Sequence, residues 1–176
     1  MIPDHRYPIG KFNWEGESSA ARREQFINDI SELPARLRAA VAGLTDTQLD
    51  TPYRDGGWTV RQVIHHVADS HLNSYVRFRL ALTEETPTIK GYDEAQWAEL
   101  EDARRAPVQV SLALLESLHD RWVRLLRSLQ PEDFARTLKH SERGLVSLDA
   151  NLALYSWHSQ HHTAHITSLR ERMGWK

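Results

Sequence analysis

Four stretches of this chain place apolar residues at intervals of three and four, the period of a helix with one face turned to a core. The first starts near Ser18 and carries Phe26, Ile30, Leu33, Leu37 and Val41, and Gly43 closes it. Pro34 inside it predicts a kink or a restart near Leu33. The second follows a Thr59–Gln62 capping box and runs to about Thr83, with Val60, Val63, Ile64, Val67, Phe78 and Leu82 on its apolar arc. Pro107 opens the third, which holds Leu112, Leu115, Leu118, Trp122, Leu125 and Leu129. Ser147 caps the fourth, which extends to about Met173 and stops at Gly174.

Between these stretches the pattern predicts smaller pieces. Thr45 with Gln48 makes a short capped turn, 86–92 is a loop, and DEAQWAEL is a short helix. Thr137 to Ser147 alternates around SERG as a small hairpin would. Residues 1–17 form an extended arm broken by Pro3, Pro8 and Gly10. The whole predicts one all-α domain over 1–176, an antiparallel four-helix bundle.

The fourth helix departs from the amphipathic rule, since Ala150 to Leu169 contains no Asp, Glu, Lys or Arg. A helix without a charged face is buried on more than one side. Either the helix is central in the fold or it makes a homodimer contact through Trp157, and the dimer contact is favoured.

Composition narrows the functional classes. Of 176 residues, 40% are apolar and 26% charged, which fits an ordinary globular domain. The formal charge of −2 gives no footprint for nucleic acid or an anionic membrane. No apolar run is long enough to span a bilayer, and the first residues lack a signal-peptide layout, so a cytoplasmic location is expected. The absence of cysteine removes disulfides, thiolate ligands and a cysteine nucleophile. Ten histidines are the one excess.

Four of the ten lie in YSWHSQHHTAHI, residues 155–166. His158 and His162 are spaced i, i+4, which puts two imidazoles on one helix face within reach of one divalent cation. His161 and His165 form a second such pair, expected to be more exposed. For a third ligand His65, His66 and His71 compete. His71 falls on the apolar arc as a core histidine would, whereas His65 projects toward Leu72 and Val76. His5, His119 and His140 are expected at the surface. A polar line of Thr59, His66, Ser70, Asn73 and Arg77 is either a solvated face or the wall of a cavity. On or near it, Asp69 suits a carboxylate that orients an imidazole, a general base or a plain ion-pair partner. Arg77 suits a substrate carboxylate or plain exposure.

The strings GGWTVRQVIHHVADSHLN and YSWHSQHHTAHI, with YPIG, LDTPYRDGGWT, RFRLALTEETPTI and ERMGWK, resemble the YfiT-like branch of the DinB superfamily nearly end to end. That resemblance implies a four-helix bundle, a homodimer, and one divalent metal per subunit, zinc or nickel, on His66, His158 and His162. It also implies a metal-dependent hydrolase of a small molecule. The alternatives are a low-molecular-weight-thiol S-transferase and a non-catalytic metal-binding stress protein. Thr163, Ala164 and His165 stand where many wider relatives have Arg-Gly-Gln, which weakens the transfer of substrate details.

Overall fold

A computed structural model describes residues 4–175. The expected arm therefore begins, among described residues, at Asp4. Four long helices dominate: α1 (Ala20–Val41), α3 (Val60–Thr83), α6 (Val108–Ser128) and α7 (Leu148–Met173). The short helices α2 (Asp46–Leu49), α4 (Glu94–Ala98) and α5 (Glu101–Arg105) fill the connections, and a 3-10 turn spans Pro131–Ala135.

The caps are where the sequence placed them. The Thr59 side chain accepts from Gln62 N, and Gln62 closes the box on the Thr59 amide. Ser147 caps α7, and Gly174 ends it at φ 64, the left-handed conformation glycine adopts at least cost.

Pro34 does not break α1, which runs unbroken through it. What the proline removes is the amide hydrogen that would have bonded the Ile30 carbonyl one turn back. That carbonyl instead accepts from Nδ1 of His119, at 2.7 Å.

The hairpin forms between β2 (Thr137–His140) and β3 (Gly144–Ser147). A third strand, β1 (Thr88–Ile89), lies parallel to β2 inside the stretch expected to be loop. Arg136 fixes the sheet to the end of α3 by donating to the carbonyls of Ala81 and Glu84.

Two apolar clusters fill the bundle. One gathers Leu33, Leu37, Val63, Val67, Leu112 and Ile166 at one end. The other gathers Ile30, Phe78, Trp122, Leu126, Leu148 and Leu152 at the opposite end. Between them the interior is polar and rich in histidine.

The uncharged face of α7 is covered in part within the chain, where Ala153 is buried and Trp157 and Ala164 half-buried. Trp157 Nε1 donates to the Gly10 carbonyl, and its ring lies 5.9 Å from Phe12 and 4.2 Å from His161. The arm thus supplies the contact that the sequence suggested a second subunit would make. Buried Asp149, which accepts from Ser18 N and from the Arg23 guanidinium, fixes the root of the arm to α7.

Candidate metal centre

One nitrogen from each of His66, His158 and His162 lies within 4.8 Å of the other two. The i, i+4 spacing on α7 supplies two of them, and α3 crosses α7 to deliver the third. Among the described residues this is the one cluster of three or more such side chains. It sits in a cavity of about 380 Å³, which Ser70, Arg77 and Tyr155 also line. Tyr92 and the hairpin residues His140 and Arg143 complete the lining. His66, Ser70 and Arg77 of the polar line therefore wall a cavity. Asn73 turns back to its own helix, donating to the Asp69 carbonyl.

The hydrogen bonds around the cluster assign its tautomers. His119 donates from Nδ1 to Ile30 O, so in the neutral ring its Nε2 is an acceptor. His71 Nδ1 donates to that nitrogen at 3.1 Å, and His71 Nε2 must then accept from His158 Nδ1, also at 3.1 Å. His158 is left with an unprotonated Nε2.

A second chain gives the same result for His162. The Arg6 carbonyl accepts from His165 Nε2 at 3.1 Å, and His165 Nδ1 then accepts from His162 Nδ1 at 3.3 Å. Both α7 imidazoles carry the proton on Nδ1 and keep a lone pair on Nε2, the form a divalent cation needs.

Electrostatics favours the neutral rings. Burial drives His158 and His162 well below the ordinary imidazole value, and the neighbouring histidines add to it. His66 is pushed down to about 4 by burial and then by His165. Three neutral imidazoles at this separation, facing open volume, fit one divalent cation with coordination positions to spare.

Several expectations are corrected. His119 and His140 are not at the surface, with exposures of 2% and 5%. His119 belongs to the buried side of α6, one turn before Trp122, which the leucine spacing obscured. His161 and His165 are buried as well, at 6% and 3%, because the arm and Tyr53 cover them; Tyr53 stacks on His165 at 4.0 Å. His65 does not project outward but joins helices, with Nδ1 on Ser111 Oγ at 2.7 Å and Nε2 on the Ala106 carbonyl. His71 is the buried, hydrogen-bonded histidine its position implied.

Asp69 is half-buried, and its carboxyl has no hydrogen bond or ion pair among the described residues. Burial, then the charge of Asp102, raises it to about 6. Arg77 is 5% exposed and lines the cavity. Sequence reasoning did not single out His119 or Arg143 for the site, and it weighed His165 only as half of a second metal pair, not as the partner of His162. The one available hint was Pro34, which obliges some donor to reach Ile30.

Comparison with known proteins agrees with this architecture. A model of the DinB superfamily matches residues 29–166. A Bacillus mycoides (strain KBAB4) protein, named as a candidate metal-dependent hydrolase, is 56% identical over 99% of this chain and 100% of its own. A similarly named protein of Bacillus cereus (strain 03BB102) is 56% identical over 98% of this chain and 99% of its own. The solved structure of YfiT from Bacillus subtilis superposes with a TM-score of 0.96 at 52% identity, covering 98% of this chain and 99% of that one. It is described as a metal-dependent hydrolase candidate with an unusual four-helix bundle topology. With the bundle, the extra helices and the hairpin all matched, this chain belongs to the DinB superfamily, beside its YfiT-like members.

Proposed function

We propose that this protein is a metal-dependent hydrolase of a small molecule, with His66, His158 and His162 holding one divalent cation per subunit. The observation that carries the reading is the convergence of three imidazole nitrogens within 4.8 Å, facing a cavity of about 380 Å³. All-imidazole ligation suits zinc or nickel. A cation so held supplies Lewis acidity at neutral pH. The chain's own part is to present three neutral rings, with His71 and His165 fixing the tautomers of His158 and His162, and to shape the volume beside them. Asp69, whose carboxyl burial raises to about 6 and which precedes the cavity-lining Ser70, is the candidate to hold a proton near neutrality. Metal analysis of untagged protein tests the assignment: about one ion per chain is expected in the wild type and loss in His162→Ala. Equal content in both overturns it.

A thiol S-transferase is the second reading, and the cavity's arginines favour it, since low-molecular-weight thiols carry carboxylates. Monobromobimane consumption with and without glutathione or bacillithiol separates the two. A non-catalytic role would call for a closed protein ligand set, and three imidazoles beside an open cavity argue against it. A homodimer belongs to the same proposal. Leu72 and Val76 on α3, and Val110 and Leu114 on α6, are exposed apolar pairs on helices that pack together. Light scattering in solution tests it.

A further inference from the structure

Arg77 is a buried cation without a counter-charge. Its side chain makes no hydrogen bond or ion pair among the described residues, and its Nε is sealed from solvent with no partner. Burying a charge unpaired is costly, and structural arginines avoid it. Here, Arg61 donates to Asp50 and Asp46, and Arg23 to Asp149. Arg77 instead lines the same cavity as the three imidazoles.

A second cation borders that cavity. Arg143, at the turn of the hairpin, lines it too, and its charge reaches both His140 and His158. Arg77 also acts on His140, which lines the same cavity as both arginines. Glu94 and Glu142 are on the rim, both exposed, and neither comes within ion-pair distance of either arginine among the described residues.

We propose that Arg77, assisted by Arg143, is an oxyanion subsite, and that the substrate is a small molecule bearing a carboxylate or phosphate group. The anion lies on the guanidinium of Arg77, and the bond to be broken lies toward the three imidazoles. The planar fork of an arginine binds either anion through paired N–H donors. The placement of the scissile bond rests on the hydrolase reading, whereas the anion subsite stands without it.

The test uses metal-free full-length protein, so that the anion cannot bind an ion at the histidines. Inorganic phosphate and, separately, succinate are titrated while the Arg77 Nε–H resonance is followed by NMR and heat by calorimetry. Movement of that resonance with at least one anion is expected, and the preferred anion identifies the class. In Arg77→Met the affinity should fall at least about tenfold, the worth of one charge-assisted hydrogen bond. The same variant should melt at a higher temperature, because an unpaired buried charge has gone. An unmoved Arg77 resonance in the wild type overturns the proposal whatever the variants do. So does a Met variant that melts lower and still binds the anion. His162→Ala should keep anion binding, and Arg77→Met should keep zinc binding, so the two readings fail separately.

Discussion

His119 Nδ1 donates to the Ile30 carbonyl at 2.7 Å, and that carbonyl is available because Pro34 has no amide hydrogen to offer it. The bond is the first link of a chain that ends on His158. A proline in α1 thus determines, through α6 and α3, which nitrogen of an α7 imidazole is free. His71 is the middle link, and its ring is fully buried. Replacing it with leucine should leave His158 able to adopt either tautomer. Zinc affinity, measured by competition with a chelating dye, should fall about 10- to 100-fold, as it does when a ligand loses its hydrogen-bonded support. Two polar atoms lose partners as well, which should cost about 1–3 kcal/mol of stability in urea unfolding.

The buried histidines make the metal-free protein sensitive to acid. His119 titrates near 4 when folded, against 6.5 as the ordinary value, because burial disfavours its cation. Above about 6.5 it is neutral in both states and contributes no pH dependence. As the pH falls from 6.5 toward 4, the unfolded chain takes up the proton and the folded one does not, so stability declines. At about 1.4 kcal/mol per pH unit, His119 alone accounts for roughly 3 kcal/mol by pH 4. His165 and His66, each near 4, act in the same direction. Asp69 opposes them, since its raised carboxyl binds a proton in the folded state first. Urea unfolding between pH 7.5 and 4.5, in chelator, should show a net decline.

Chelation should not unfold the bundle. The two apolar clusters close above and below the histidines without involving them. The far-ultraviolet circular dichroism of metal-free protein should therefore stay helical. Readdition of zinc at a hundred times its dissociation constant should add about 2.7 kcal/mol to the unfolding free energy. Loss of helix on chelation would instead favour a structural ion.

Asp149 is the anchor of the arm. Its carboxylate is buried with the Arg23 guanidinium and also takes Ser18 N. Asp149→Ala leaves the largely buried Arg23 with only exposed Glu17 at 3.7 Å, with an expected cost of about 3 kcal/mol in urea unfolding. The same variant should loosen the cover over Trp157 and His161, seen as a red shift of tryptophan emission.

The long helices were legible because their apolar period and their caps coincide, as at Thr59 and Gln62 or Ser147 and Gly174. Spacing also picked out the His158–His162 pair and favoured His66 through the polar line, but it left His65 and His71 in competition until the resemblance decided among them. What spacing missed was tertiary. His119 looked like a polar interruption among leucines, yet it faces inward because Ile30 O requires a donor there. His165 looked exposed because nothing in its own helix reveals that Tyr53 and the arm will lie over it. Strand β1 has two residues and pairs with a segment about fifty positions away, so it had no local period to read.

The hairpin stands apart from the helices in one respect. Its turn brings Arg143 over the cavity, while its base is tied to α3 through Arg136 and to β1 through a short ladder. No imidazole of the cluster belongs to it. With the anion subsite as proposed, substitution of Arg143 should retune which clientele is accepted while the helical chassis, with its wiring of histidines, stays in place.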